Sequence, residues 1–324
     1  MRLPDTTLNR RGFLALGTAA LLATGAKAAP LAGLSGIALG TGWSVALPAG
    51  ADTAGLRDRL AALLAGMDRA FSPFRADSAL GRFNGGGEEA AVSAEVVDVT
   101  RAALSIAEAS GGAFDPTVGP LVARWGFGPI RDGETTAEGW RAIRAGNGHL
   151  ARERRGLTLD LCGIAKGHAL DRMAALLRDA GHAHFLIDLG GELFAEGRHP
   201  SGRLWQVGVE DPRPGREGMA ATLKLSGMAV ATSGDRVNGY DLGTRRYSHI
   251  IDPAAGEPVE STLASVSVLM PDARTADGWA TALMAAGNGG PALARRRGIP
   301  ALFLFRAENG LSRVATAGFE THLL

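Results

Sequence analysis

Between Leu157 and Gly191 the chain reads LTLDLCGIAKGHALDRMAALLRDAGHAHFLIDLGG, a run whose apolar period changes midway. Leu157, Leu159 and Leu161 alternate with Thr158 and Asp160, the two-residue period of a half-buried strand. After Cys162 and Gly163 the period lengthens. Ala165, Ala169, Leu170, Met173, Ala174, Leu176 and Leu177 recur at helical spacing, and Gly181 stands where that helix would stop. A second strand and a second glycine turn follow. Such a run demands a fold in which strands and helices pack together. It also sets Asp160 at a strand end and Lys166 in the first turns of a helix, beside N–H groups that lack an intrahelical partner. An acid, a base and a helix start at one point suit an anionic ligand. A structural βαβ unit, with a solvated lysine and a turn-capping aspartate, is the competing reading.

With 324 residues, 46% of them hydrophobic, the chain can bury one large domain or two joined lobes, and a formal net charge of +1 lacks the basic excess of a nucleic-acid binder. Its 46 glycines predict many turns and close backbone approaches. The beginning differs from the rest. Arg10 and Arg11 precede Gly12, Phe13 and Leu14, then an apolar run from Ala15 to Ala26, then the small residues flanking Lys27. This is the pattern of a twin-arginine signal over residues 1–28, leaving 29–324 as the mature domain. It predicts an exported, periplasmic protein with no stable membrane span after cleavage. A retained anchor is the alternative, although the run falls short of the roughly 20 residues that cross a bilayer. Cys162 is the single cysteine, so no intramolecular disulfide can form, and its place between strand and helix suggests packing rather than a nucleophile.

Elsewhere the patterns predict a strand over residues 37–47 with a glycine bend at 40–42, and helices over 53–70, 93–109 and, more weakly, 136–145. Two glycine-rich stretches carry chemistry. FSPFRADSALGRFNGGG, residues 71–87, holds Phe74, Arg75 and Asp77; GGAFDPTVGPLVARWGFG, residues 111–128, presents Asp115 and Thr117 between Phe114 and Val118. Short strands over 192–196, 204–209, 221–225 and 228–232 are close enough in sequence to form antiparallel hairpins, and further strands fall at 263–269, 301–306 and 311–315. The helix over 271–287 begins at a capping Asp272 and sets Asp277 and Thr281 four apart on one face. A carboxylate and a hydroxyl held so form half of a hard-cation site, or ordinary surface decoration.

In order, GTGWSV at Gly40, SPFRADSALGRFN at Ser72, GGAFDPTVGPLVARWGFG at Gly111, LDLCGIAKGHALD at Leu159, IDLGGELFAEG at Ile187, ATSGDR at Ala231, RYSHIIDPAAGEPV at Arg246 and TADGWATAL at Thr275 resemble the ApbE family of FAD:protein FMN transferases. The resemblance covers essentially the whole mature chain. It implies an α+β, two-lobed fold with mixed, largely antiparallel sheets flanked by helices and a flavin cleft between the lobes. It implies a Mg²⁺-dependent enzyme that takes FAD as substrate, splits its pyrophosphate, attaches FMN through a phosphoester to a Thr or Ser of a partner protein, and releases AMP. The acceptor so implied is a flavoprotein of a redox or respiratory complex.

Position by position, the resemblance makes Asp277, Thr281 and the carbonyl of Gly163 metal ligands, and His249 the candidate base, since imidazole can be neutral near physiological pH. Leu39, Phe74, Ala113, Phe114, Asp115, Asp160, Lys166 and Ile251 match contacts of the flavin nucleotide. Against the family pattern, Cys162 stands for Gly, Phe74 for Tyr, Leu39 for Met, and Ala280 for a carboxylate that some members carry. The residues leave two alternatives open: an FAD pyrophosphatase yielding FMN and AMP, and a non-catalytic flavin-binding protein, for which a base has no use.

Overall fold

The computed structural model describes residues 30–243 and 245–324, so the expected signal over 1–28 lies outside the described residues. The first half of the chain contains strands β1 (Leu31–Ala38) and β2 (Thr41–Pro48), helices α1 (Leu56–Phe71) and α2 (Ala79–Gly85), strand β3 (Glu89–Ala91), helices α3 (Ala94–Ser110) and α4 (Gly119–Arg124), strands β4 (Ile143–Gly146) and β5 (His149–Arg152), and helix α5 (Cys162–Asp179). Strands dominate the second half: β6 (Phe185–Leu189), β7 (Glu192–Glu196), β8 (Trp205–Glu210), β9 (Met219–Leu225), β10 (Met228–Gly234), β11 (Gly239–Leu242), β12 (Arg245–Ser248), β13 (Ile251–Asp252), β14 (Glu257–Pro258) and β15 (Leu263–Met270). Helices α6 (Ala273–Ala285) and α7 (Gly290–Arg297) and strands β16 (Ala301–Ala307) and β17 (Gly310–Thr316) complete it.

One eight-stranded sheet has the order β1-β2-β6-β7-β10-β15-β16-β17. Its pairings are all antiparallel, which bears out the expected α+β class with largely antiparallel sheets. Strand order in the sheet follows chain order, so it is a meander whose excursions carry the helices and smaller sheets. Alternating side chains send two apolar sets to opposite faces. On one face Val45, Leu47, Ile187, Phe194, Ala231, Val266 and Phe303 join Leu60 and Leu64 of α1, Met173 of α5 and Leu283 of α6 in the main core. On the other, Leu186, Leu193, Val230, Leu269 and Leu302 pack against Trp205, Val207, Leu223 and Leu225 of the β8–β9 hairpin. Because both faces are covered, β15 is buried from Leu263 to Leu269, and its buried Ser267 pairs with Thr232 through their hydroxyls at 2.8 Å.

Several local expectations give way. Residues 37–47 are not one bent strand. Leu39 and Gly40 both take positive φ, 51° and 76°, as the central pair of a two-residue hairpin turn requires, and β1 folds back onto β2. The loop 71–87 contains α2, whose Ser78 caps it by accepting from the Gly81 N–H. Residues 136–145 form a short 3-10 turn and then β4 rather than a helix.

Residues 157–161 belong to no strand. Instead, Asn84 Oδ1 accepts from the Leu159 N–H and Asn84 Nδ2 donates to the Leu159 carbonyl, both at 2.8 Å. One side-chain amide thus supplies the two bonds a neighbouring strand would have made, and there is no βαβ unit.

Candidate active site

Two helices meet where side chains are missing. Gly163 and Gly167 lie on one face of α5, four residues apart. A Cβ on Gly167 would sit 2.2 Å from the Ala273 carbonyl oxygen and 2.7 Å from Asp277 Cβ; one on Gly163 would sit 2.9 Å from Thr281 Oγ1. This close approach lets Thr281 Oγ1 donate to the Gly163 carbonyl at 3.3 Å, and the Gly167 N–H donate to Asp277 Oδ2 at 2.9 Å. The register of α6 is fixed from α5 as well. Asp171 accepts from the Ala273 and Arg274 N–H groups at 2.7 and 2.9 Å, while Asp272 caps the same end from within by accepting from the Thr275 N–H.

The carbonyl of Gly163, the hydroxyl of Thr281 and the carboxylate of Asp277 therefore converge. Asp277 is 3% exposed. Burial, then the neighbouring Glu192 carboxylate, push its pKa up to about 7, with partial relief from Lys166 and the Gly167 N–H. A carboxylate so costly to ionise in the bare protein is one that a cation would stabilise. Three oxygen donors of these kinds fit magnesium, which takes oxygen ligands and keeps positions for water and substrate phosphates. Among the described residues, no group of three or more His, Cys, Asp or Glu side chains is placed to hold a metal, and this set contains a single carboxylate.

Lys166 donates to Glu192 Oε1 at 2.6 Å. Glu192 heads β7 almost wholly buried, and its Oε2 has no hydrogen-bond partner. Burial opposes the ammonium, but Glu192 and Asp277 outweigh it and hold the Lys166 pKa above its usual range. On β6, Asp188 accepts from the Gly191 N–H at 2.9 Å; burial, helped by Glu192 and Glu210, pushes its pKa up to about 6.

Asp160 Oδ1 accepts from the Cys162 N–H at 2.9 Å and so fastens the start of α5. Its own N–H donates to the Pro116 carbonyl at 2.7 Å, which draws in residues 111–128. There Asp115, also buried, folds onto its own turn: Oδ1 accepts from the N–H of Thr117 at 2.8 Å and its hydroxyl at 2.6 Å, and burial still raises the carboxyl pKa. Phe114 is buried against Gly163, and Ala113 beside it is half-buried.

His249 follows β12 directly. Its backbone N–H and its Nδ1 both meet the Asn238 carbonyl, at 3.1 and 3.2 Å. A carbonyl only accepts, so Nδ1 carries the proton and Nε2 keeps a free lone pair. Burial, aided by Lys166, lowers the His249 pKa against the opposing effects of Asn238, Asp235 and Asp160. The influence of Lys166 and Asp160 ties the imidazole to the start of α5.

The structure thus joins Gly163, Lys166, Asp277, Thr281, Phe114 and Asp160 by direct contacts or chain adjacency, with His249 within reach of their charges. Leu39 is half-buried at a positive φ that a non-glycine residue seldom adopts, and Ile251 is buried in β13. Phe74 stands apart, 73% exposed on the turn before α2. Cys162 is exposed rather than packed; desolvation of its sulfur and then Asp160 push the thiol pKa up, the opposite of an activated nucleophile. Glu192, Asp188 and Asp171 were not singled out by sequence reasoning. An acid heading an apolar strand was the available signal for Glu192; Asp171 acts on a helix that begins 102 residues later, and nothing local announces it.

The sequence profile of the ApbE family matches residues 39–303. A relative from Vibrio cholerae serotype O1, named FAD:protein FMN transferase, is 35% identical across 97% of this chain and 99% of its own. One of the same name from Salmonella typhimurium is 34% identical across 90% of this chain and 89% of its own. Among solved structures, the flavin transferase ApbE from Vibrio cholerae matches with a TM-score of 0.80 at 32% identity, covering 91% of this chain and 100% of that one. The apo form of Pseudomonas stutzeri flavinyl transferase ApbE matches with a TM-score of 0.80 at 33% identity, covering 90% and 96%. The profile runs through every segment that builds the α5–α6 contact, the Lys166–Glu192 pair and the His249 turn, and the chain belongs to the ApbE family.

Proposed function

We propose that this protein transfers FMN from FAD to the hydroxyl of a Thr or Ser side chain on a partner protein, with AMP as the leaving group. The observation that carries this reading is the α5–α6 contact, which gathers three oxygen donors beside a lysine held in its charged form. Phosphoryl transfer asks for little beyond positioning and charge neutralisation, and these are the groups that provide both at a pyrophosphate. The name shared by the relatives supports the same reaction.

Gly163, Thr281 and Asp277 would hold magnesium, which when bound supplies charge neutralisation at the pyrophosphate oxygens. Lys166, steadied by Glu192 and partly exposed, offers N–H donors to phosphate. The bare Nε2 of His249 accepts the proton of the incoming hydroxyl. That oxygen forms a bond to the FMN phosphorus, the bond from phosphorus to the AMP oxygen breaks, and AMP departs with the electron pair. Ala113, Phe114, Asp115 and Asp160, with Leu39, Phe74 and Ile251, are assigned to the flavin nucleotide. The twin-arginine pattern supports a periplasmic site of action, and a flavoprotein of a redox or respiratory complex there is the proposed acceptor.

The test incubates purified protein with FAD, Mg²⁺ and a candidate acceptor domain and follows the intact mass of the acceptor. A gain of one FMN on a Thr or Ser is expected. FMN and AMP released with the acceptor unlabelled would assign an FAD pyrophosphatase instead.

A further inference from the structure

The β11–β12 hairpin pairs with no other strand among the described residues, and a lone two-stranded ribbon is marginal in water. Aromatic rings hold it. Tyr240 and Tyr247 are cross-strand partners, stacked at 5.5 Å and 14°. Trp125 stacks on Tyr247 at 5.5 Å and 20°, and Phe127 on Tyr240 at 5.5 Å and 19°. Both outer rings come from the loop after α4, with Gly126 at φ 89° between them. Trp125 Nε1 donates to the Gly256 carbonyl at 3.2 Å, which anchors the clamp. Arg246 secures the base of the hairpin by donating to the Asp235 and Arg236 carbonyls at 2.8 and 3.1 Å.

The two roots of this hairpin are Asn238, just before β11, and His249, just after β12. They are joined by the bonds that leave Nε2 bare. Phe127 also meets the His249 ring edge-on, at 6.4 Å and 63°. The rings that order the hairpin therefore also orient the imidazole.

We propose that Phe127 and Tyr240 are positioning residues for His249: their stack holds the hairpin so that the Asn238 carbonyl keeps the proton on Nδ1 and Nε2 faces the incoming hydroxyl. The kinetic consequence rests on the transferase reading; the tautomer consequence does not.

The test uses the whole protein and compares wild type with Tyr240→Leu, Tyr240→Phe and Phe127→Ala. NMR of the histidine ring nitrogens, assigned with His249→Ala, reports the tautomer; single-turnover FMN transfer and FAD binding report function. Tyr240→Leu and Phe127→Ala are expected to lose the Nδ1-protonated signature and to slow transfer by about ten- to a hundredfold, with FAD affinity within about twofold of wild type. Tyr240→Phe keeps the ring and is expected to retain both. Tyr240 is 41% exposed, so its replacement remains informative should Phe127→Ala fail to fold. An unchanged tautomer in Tyr240→Leu, an unchanged transfer rate beside an active wild type, or loss of FAD binding in step with rate overturns the proposal. A tautomer shift in a protein whose wild type transfers nothing would sink the transferase reading and leave the positioning role standing.

Discussion

Asp277 is buried and His249 half-buried, and desolvation moves their pKa values in opposite directions because one is neutral when protonated and the other when not. For Asp277 the expected consequence is a dependence on cation. Asp277→Ala is expected to abolish Mg²⁺-dependent transfer, a loss of at least about a hundredfold, and a Mg²⁺ titration of the single-turnover rate checks it; full activity at limiting Mg²⁺ would refute the ligand assignment. For His249 the consequence is a wide neutral range. Its pKa lies below the ordinary 6.5, so the imidazole stays uncharged where a free histidine is already half protonated. With Mg²⁺ saturating, so that Asp277 is held ionised, the acid limb of the transfer rate is therefore expected below pH 6.5, and a limb at or above that value would contradict the desolvated setting of His249. The same sign applies to stability: the folded state resists protonation here, so this group's contribution is lost as pH falls from 6.5 through the lowered value. His249→Ala is expected to keep FAD binding while transfer falls by about 10²–10⁴-fold, as fluorescence binding and rate measurements together would show.

At the scale of elements, the α5–α6 contact depends on two absent side chains. Gly167→Ala would drive a Cβ into the Ala273 carbonyl and Asp277, and is expected to cost about 1–3 kcal/mol in denaturant unfolding and to weaken Mg²⁺ binding together. Asp171→Ala frees two N–H groups of α6, with an expected cost of about 1–2 kcal/mol by the same measurement. Legibility in the sequence divides along the same line. Helices α1, α3 and α5 could be read because each buries a periodic stripe, α6, buried nearly all round, because Asp272 caps a run of apolar residues, and the expected strand over 192–196 coincides with β7. The segment 157–161 misled because its alternation satisfies a buried wall without a strand beside it; the partner is one amide, 75 residues earlier. Residues 136–145 misled because Trp140 and Ile143 reach the interior from a 3-10 turn and a strand, at a spacing a helix would also give. Helix α7 hides behind Gly287, Gly289 and Pro291, which look like breakers although the proline occupies the first helical turn. Within the site, the spacing of Asp277 and Thr281 was visible locally. The pairing of Thr281 with Gly163 spans 118 residues and is a product of the fold.

For the molecule as a whole, the candidate site draws on α5, α6, β6, β7 and the turn after β12, so ligands that bridge them should brace the entire fold. FAD and Mg²⁺ added together are expected to raise the Tm, by an amount equivalent to about 2.7 kcal/mol when free ligand stands at about a hundred times its Kd. Asp277→Ala should remove the Mg²⁺-dependent part of that rise, and scanning calorimetry with each ligand alone and both together separates the two.

The meander has a further consequence for a chain emerging from the ribosome. Its first hairpin leaves open the rim of β2 turned away from β1, whose partner in the finished sheet, β6, lies beyond residues 49–184. Through that interval of synthesis an unsatisfied row of backbone donors and acceptors stands open to any stray strand. The order of the strands thus predicts a need for early chaperone cover of the β2 rim.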